Sequence, residues 1–398
     1  MPDTRPSDQL TASRPVVQPS VCCFLFDSMT GGPTVRVGDV YPVLLAEGCD
    51  VWVAMPKRDG TAKSYLEERG IVVEELRIRK PTPPSKPLAF LAFLLSSPLA
   101  LARVYFYLRA RKPDIVHVNG IYDFLPALAA RFSGAKVAWH LNDMLWSRKT
   151  SHKLGKFARK VAHAVIASSE ATADHYGIPP DEAVIIHPPI NTARYRPLDA
   201  AARFERAQQR KPVVALIGNW NPLKGHPDFV AIVKRLDENG LPVRARMIGR
   251  LLDTQAPYWR PIVAGFDSYR GGAEFDVAGF SSDIAGELED VDLVVITSKS
   301  EAGPIVALET MASAIPIVSY DVGAMRQFLA TGEANESGAV LAHGDIAGMS
   351  EAIADLLGNK TRYVQSAENA LSRVTNKFDL YVSVEAHRRV YARLARQE

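Results

Sequence analysis

The chain has 398 residues, 47% hydrophobic and 23% charged, with a net charge of +3 and three cysteines. That length exceeds one ordinary core and suits two or three domains of a soluble globular protein. Cys22, Cys23 and Cys49 are too few and too irregular for a disulfide framework or a zinc site, so they read as buried thiols of a reducing compartment.

Residues 1–20 are rich in Pro, Ser, Thr and Asp and lack the apolar core of a signal peptide, so a disordered tail is expected there. Short apolar runs then alternate with longer helical patterns. Strands are predicted at Val21–Phe26, Val51–Met55, Ile115–Val118, Val137–His140 and Ala164–Ala167. A second series runs through Val213–Ile217, Val243–Ile248, Leu293–Ile296, Ile315–Ser319 and Gly338–Leu341. Most are continuous apolar runs, as expected of strands buried on both faces of a parallel sheet. Helical spacing appears at Val40–Glu47, Pro126–Phe132, Pro227–Glu238, Val306–Ser313 and Met349–Leu357, and again at Leu380–Arg396. This alternation predicts an α/β protein with doubly wound sheets. The series breaks at the Arg-, Gln- and Pro-rich stretch Asn191–Arg210, which is read as a linker.

Two segments of the first half bear on partners. Residues 57–160 hold 20 Lys and Arg against 8 Asp and Glu, a basic face for an anionic surface or simply for solvent. Pro87–Ala102 is uncharged, but Pro98 interrupts it and it is shorter than the roughly 20 apolar residues of a membrane span. It is expected to be buried or interfacial.

The sharpest constellation is Ser298-Lys-Ser-Glu-Ala-Gly-Pro-Ile-Val-Ala-Leu-Glu-Thr-Met-Ala312, after the predicted strand Leu293–Ile296. Gly303 and Pro304 open a helix there, and helix-start amides at the C-terminal edge of a parallel sheet form an anion site. Glu301 lies before the helix and Glu309 about two turns inside it. Carboxylates in those places accept hydrogen bonds from sugar or ribose hydroxyls. The bland alternative is a capped helix with a surface Glu.

A second constellation, Ile217-Gly-Asn-Trp-Asn-Pro-Leu-Lys-Gly-His226, also joins a strand to a helix. Gly218 permits a sharp turn, and Lys224 offers a point charge for phosphate. Trp220 is expected to pack. After the first strand, Gly31 and Gly32 allow close backbone approach to a phosphate or sugar, and His140 closes another strand within hydrogen-bonding reach of a sugar or diphosphate. Asp290-Val-Asp292 spells a DxD pattern, but it precedes a strand rather than following one, so no metal is assigned to it. No pattern for a covalent nucleophile is found.

Together these residues resemble the retaining glycosyltransferases of family 4, which have the GT-B fold. The resemblance rests on E-x7-E at Glu301 and Glu309, Met311-Ala312, Pro316-Ile-Val, Asp321-Val-Gly323, Gly338-Ala-Val-Leu341 with Gly344-Asp345, and Gly218 with Lys224-Gly-His226. Ser168-Ser-Glu170 through His187-Pro-Pro-Ile-Asn191 and Gly31-Gly32 fit the same pattern, which runs from about Val21 to Leu357. It implies two Rossmann-like doubly wound domains facing across a cleft. The acceptor-side domain would span residues 21–195 and the nucleotide-sugar domain 196–377, with 378–398 crossing back to the first. It further implies that Glu309 binds the donor ribose, that Glu301 meets the donor sugar, and that the amides around Ile305 and Val306 meet sugar and phosphate. Lys224 would hold the diphosphate, His140 would sit near the transferred sugar, and Gly31 and Gly32 near the phosphate or acceptor.

The resemblance implies no metal and no cofactor beyond the nucleotide-sugar co-substrate. The acceptor would be a glycan or lipid-linked hydroxyl, with an anionic membrane as docking surface and no nucleic acid as partner. The expected location is cytoplasmic, peripheral at the inner face of the membrane. Asn219 stands where the family usually has Arg; it removes a cation unless Arg36, Arg148 or Arg250 substitutes. Asn219 is also what supports the rival reading, a catalytically impaired protein that binds nucleotide or glycan, or a scaffold.

Overall fold

The computed structural model describes residues 18–79, 87–144 and 146–396. Most of the expected N-terminal tail, residues 1–17, lies outside the described residues. The first sheet contains β1 (Ser20–Phe24), β2 (Asp50–Pro56), β3 (Val73–Leu76), β4 (Ile115–Asn119), β5 (Lys136–Leu141), β6 (Ala164–Ala167) and β7 (Ala183–Ile185). Its order is β3-β2-β1-β4-β5-β6-β7, and every pairing is parallel. The second contains β8 (Val213–Ile217), β9 (Arg244–Ile248), β10 (Glu274–Gly279), β11 (Leu293–Ile296), β12 (Ile317–Tyr320) and β13 (Gly338–Leu341). Its order is β10-β9-β8-β11-β12-β13, again all parallel. In each sheet the order reverses beside the first strand, which is where α/β sheets open a ligand crevice at their C-terminal edges.

The predicted strands are present, with ends shifted by one or two residues. Three others, β3, β7 and β10, escape the sequence pattern. All three lie at sheet edges, where one side is uncovered and the strand needs no continuous apolar run; β3 carries Glu74 and Glu75, and β10 carries Asp276.

The stretch read as a linker is largely ordered. Asp199 caps the helix Ala200–Gln208 by accepting from the Ala202 amide at 2.8 Å. The buried Arg203 of that helix donates to the carbonyl oxygens of Leu288 and Val291. At the crossing, Ile190 exchanges backbone bonds with the 378–380 segment, Ile190 N to Phe378 O at 3.0 Å and Leu380 N to Ile190 O at 2.9 Å. Beyond it the helix Leu380–Arg396 packs Leu380, Val384, Val390, Tyr391 and Leu394 into the core of the first sheet.

Pro87–Arg111 differs from expectation. It is one 25-residue helix through Pro98, apolar and long enough by composition to cross a membrane, with only 17% of its most apolar stretch buried. Phe93, Ala100, Val104 and Leu108 face inward, whereas Leu88, Leu91, Leu95, Leu99 and Phe106 are exposed.

Asp292 explains why the DxD pattern is structural. It is fully buried at the N-terminal entrance of β11, accepting from the Val213 amide at 2.8 Å and pairing with Arg206 and Arg210 at 3.0 Å each. Replacing it by Ala leaves the partly buried Arg206 without its carboxylate, Arg210 with Asp290 alone, and the Val213 amide without its acceptor. Asp292→Ala is expected to lose about 3–5 kcal/mol in urea unfolding of the second domain. A loss under about 1 kcal/mol contradicts this role.

Candidate active site

The second sheet presents two strand-to-helix loops, Gly218–His226 after β8 and Thr297–Pro304 after β11, and they are sewn together. The Thr297 hydroxyl donates to the carbonyl oxygens of Lys224 and Gly225, both at 3.0 Å, and the Lys299 amide donates to Leu223 O at 2.8 Å. Gly225 sits at φ +68 against Thr297 O, where an added Cβ would overlap the carbonyl. Gly218 has a different purpose: a Cβ there would come within 3.0 Å of Lys224 Cδ and Cε, so the glycine lets the lysine stem lie across the strand end.

This sewing brings Lys224 Nζ to 2.6 Å from Glu301 Oε1. Gly323, at φ +52, packs beneath the Glu301 backbone, where again no side chain fits. Pro304 is the N-cap of the helix Ile305–Ala312, one position earlier than its expected first turn, so the Ile305 and Val306 amides stay intact and no side chain caps them. Gly303 packs against Pro188 of the first domain, and Ser169 Oγ donates to Ala302 O at 3.1 Å. The glutamate loop therefore lies where the two domains meet.

About one turn into that helix, nearer its start than the sequence suggests, Glu309 Oε1 accepts from the Tyr195 hydroxyl at 3.1 Å. Burial lifts the Glu309 carboxyl and the tyrosine bond opposes it, the net result being about 6. Trp220 is fully buried and stacked on His226 at 4.1 Å, a packing residue as expected. The exposed Asn219 uses Oδ1 to accept from the Arg250 amide at 3.1 Å.

In the first domain, Gly31 and Gly32 are exposed at the start of the helix Gly32–Ala46, with open space where a Cβ would stand and no side-chain cap. His140 is elsewhere. Its ring is fully buried beside His117 of β4 and His387 of the terminal helix, with Arg36 Nη1 2.8 Å from its Nε2. The residues at the end of β5 are instead Asn142 and Asp143, both against Gly120. Asn142 Nδ2 is buried without a partner, and Asp143 accepts from the Tyr176 hydroxyl at 2.8 Å. The alternation of a buried strand turned His140 inward, and the sequence pattern did not reveal which face it takes.

The sequence resembles several known proteins over this frame. Residues 199–373 match the family described as "Glycosyl transferases group 1" and residues 30–194 match "Glycosyltransferase Family 4". The chain belongs to the family 4 glycosyltransferases. It is 28% identical over 260 residues to the lipopolysaccharide core biosynthesis mannosyltransferase LpsB of Rhizobium meliloti, covering 61% of this chain and 68% of that protein. It is 29% identical over 182 residues to a D-inositol 3-phosphate glycosyltransferase of Streptomyces bingchenggensis, covering 41% of this chain but only 39% of that protein. A solved glycosyltransferase from Rickettsia africae superposes with a TM-score of 0.79 at 16% identity, covering 96% of this chain and 100% of that one. Anabaena HepE in complex with UDP superposes with 0.75 at 20% identity, covering 93% and 99%. The fold is GT-B.

Of the three cations weighed as replacements for the family's usual Arg, two are engaged elsewhere in this glycosyltransferase. Arg36 is buried and donates to His140 and Asn119; Arg148 is paired with Asp174 at 2.7 Å. Arg250 remains beside Asn219, exposed, its guanidinium over the Phe280 ring at 4.4 Å. The His117–His140–His387 cluster has ligand spacing for a metal ion, with the three nitrogens within 4.8 Å of one another. Its chemistry opposes one. Arg36 is donor-only, so His140 Nε2 accepts and the proton sits on Nδ1, which then has no lone pair for a metal. A divalent ion would also join a buried guanidinium there. All three imidazoles are held well below the ordinary range by burial, and Arg36 adds to the effect, so they are neutral at physiological pH.

Tyr195, Asn142 and Asp143 are the residues sequence reasoning missed. Tyr195 reads as linker, and its contact with Glu309 spans 114 residues.

The Glu309 shift has a stability consequence. An unfolded glutamate ionises near 4.5, and Glu309 in the fold only above about 6. The folded state thus binds the extra proton between those values, and stability falls as pH rises through that window. Above it the ionised carboxylate costs the unliganded fold on the order of 1–2 kcal/mol. Glu309→Gln is expected to be more stable than wild type by about that amount at pH 7.5 in urea unfolding, and equal to it near pH 4.5. Equal stability at pH 7.5 contradicts the buried, ionised carboxylate.

Proposed function

We propose that this glycosyltransferase moves a sugar, with retention, from a nucleotide-diphosphate sugar to a hydroxyl of a cell-envelope glycan or glycolipid. The observation that carries the proposal is the Lys224–Glu301 pair beside the uncapped start of the helix Ile305–Ala312, with Glu309 about one turn further on. That arrangement suits a nucleoside diphosphate carrying a sugar. Lys224 and the Ile305 and Val306 amides meet the diphosphate, Glu301 the sugar hydroxyls, and Glu309 the ribose. Relatives named for lipopolysaccharide core synthesis, LpsB of Rhizobium meliloti and LpcC of Rhizobium leguminosarum, support the envelope acceptor. Structural neighbours described with UDP and UDP-glucose support a nucleotide-sugar donor.

In the reaction the bond between the anomeric carbon and the β-phosphate oxygen breaks as the acceptor oxygen attacks from the same face. The acceptor proton passes to the departing phosphate. Charge develops on the leaving diphosphate, and Lys224 with the helix-start amides stabilises it. Lys224 leaves its Glu301 partner only when phosphate offers a better one, which frees Glu301 for the sugar. Gly31 and Gly32 leave room for the acceptor or phosphate on the opposite side of the cleft. Transfer needs no metal in this scheme.

The exposed leucines of Pro87–Arg111 lie in the basic half of the chain, which supports peripheral docking on an anionic membrane at its cytoplasmic face. Co-flotation with vesicles containing anionic lipid is expected, weakened by Leu91→Glu with Leu95→Glu; indifference to lipid charge and to both substitutions counts against it.

The donor is tested by thermal stabilisation with UDP, GDP, ADP and their sugars. A nucleotide at 100 times its Kd adds about 2.7 kcal/mol of stability. Lys224→Ala is expected to abolish that shift and to lower transfer by roughly a hundredfold or more. Near-normal turnover overturns the assignment of Lys224. Stabilisation by nucleotide without any transfer or hydrolysis supports the rival reading, a binding protein weakened at Asn219.

A further inference from the structure

We infer that Tyr195, in the crossing between the domains, is a positioning residue of the donor site: it holds one oxygen of Glu309 so that the carboxylate is presented to the donor ribose. The inference rests on the assignment of Glu309 to ribose made above.

The geometry begins at the crossing. The backbone at Ile190 is tied in both directions to the 378–380 segment, and Thr192 Oγ1 donates to Asp379 Oδ2 at 2.6 Å. The tight turn Thr192–Arg194 that follows is therefore anchored at its base. The next two side chains diverge. Arg194 reaches the first domain, pairing with Asp39 of the helix Gly32–Ala46 at 3.2 Å. Tyr195 turns to the second, its ring packed on the core of the second sheet and its hydroxyl 3.1 Å from Glu309 Oε1. A tyrosine pinned along its ring has little freedom left, so the hydroxyl fixes where the carboxylate oxygen stands. An ionised carboxylate offers about four lone-pair sites, and one hydroxyl uses one of them. The rest of Glu309 remains available to a ribose diol.

The electrostatics agree. Glu309 has two influences on its carboxyl: burial raises it, and the Tyr195 bond lowers it. No charged group on the helices or strands packed around Ile305–Ala312 contributes. Arg194 and Asp39 stand behind the tyrosine and act on it rather than on Glu309. The hydroxyl is thus what opposes burial in keeping Glu309 ionised, the form that accepts hydrogen bonds from ribose. The same short segment ties Glu309 to the helix that begins at Gly31 and Gly32, so the donor carboxylate is positioned relative to both walls of the cleft.

Tyr195→Phe tests this, because it removes one oxygen and keeps the packing. The expected result is a donor KM roughly tenfold higher at pH 7.5 with kcat at saturating donor little changed. The acid limb of kcat/KM for the donor moves to higher pH, as Glu309 loses the bond that favours its ionised form. On a Glu309→Gln background, Tyr195→Phe adds nothing. A merely structural tyrosine would lower stability and leave the acid limb in place. Nucleotide-diphosphate Kd from calorimetry provides a reading independent of turnover. Unchanged Kd, KM and acid limb in Tyr195→Phe, with Glu309→Gln impaired, overturns the role of Tyr195 alone. If Glu309→Gln itself leaves nucleotide binding intact, the ribose assignment fails first and the Tyr195 inference falls with it.

Discussion

The arrangement of the two loops at the edge of the second sheet depends on Thr297. Its hydroxyl binds two consecutive carbonyls of the neighbouring loop, and that bond decides where Lys224 stands relative to Glu301. A lysine on a four-carbon stem is otherwise a mobile, hydrated charge. Here its stem lies against Gly218, its backbone against β11, and its amine against a carboxylate. Two further glycines stand where backbone touches backbone: Gly225 on Thr297 and Gly323 on Glu301. Pre-organisation of this kind holds a cation and two free amides at one sheet edge, the arrangement the proposed diphosphate site requires.

The two domains satisfy their buried polar groups differently. The second buries Arg203 and Arg373 against backbone carbonyl oxygens and sends Arg206 and Arg210 to Asp292 at the far end of the sheet. The first buries Arg36 with three neutral histidines, Asn119 and two tyrosines beneath the terminal helix. A guanidinium has no use for a metal there but does need acceptors, and His140 and Asn119 supply them. The terminal helix contributes His387 and Tyr391, so the cluster also locks the last residues of the chain onto the first sheet. That is the physical reason the helix Leu380–Arg396 belongs to the first domain although it follows the second.

The crossing makes the linker chemically informative. Arg194 and Tyr195 are adjacent in sequence yet bond to opposite domains. Glu309 is thereby connected to the segment that joins the two domains. The helix Pro87–Arg111, with its exposed leucines, belongs to the first domain, away from this crossing.

The alternation of continuous apolar runs with helical spacing was enough to read two parallel doubly wound sheets from the sequence, because strands buried on both faces cannot hide their composition. The spacing of Glu301 and Glu309 across a Gly-Pro helix start, and of Gly218 and Lys224, was legible for the same reason: both are local patterns beside a strand end. Edge strands β3, β7 and β10 were not, since an uncovered edge tolerates Glu74, Glu75 and Asp276. The helix Ala200–Gln208 was hidden in a charged stretch because its arginines satisfy carbonyls of distant segments. Tertiary structure alone decided that His140 turns inward to Arg36, that Pro98 leaves its helix unbroken, and that a linker tyrosine reaches Glu309. Each of these depends on a partner 60 or more residues away or on which face of an element is covered, and neither is encoded in local periodicity.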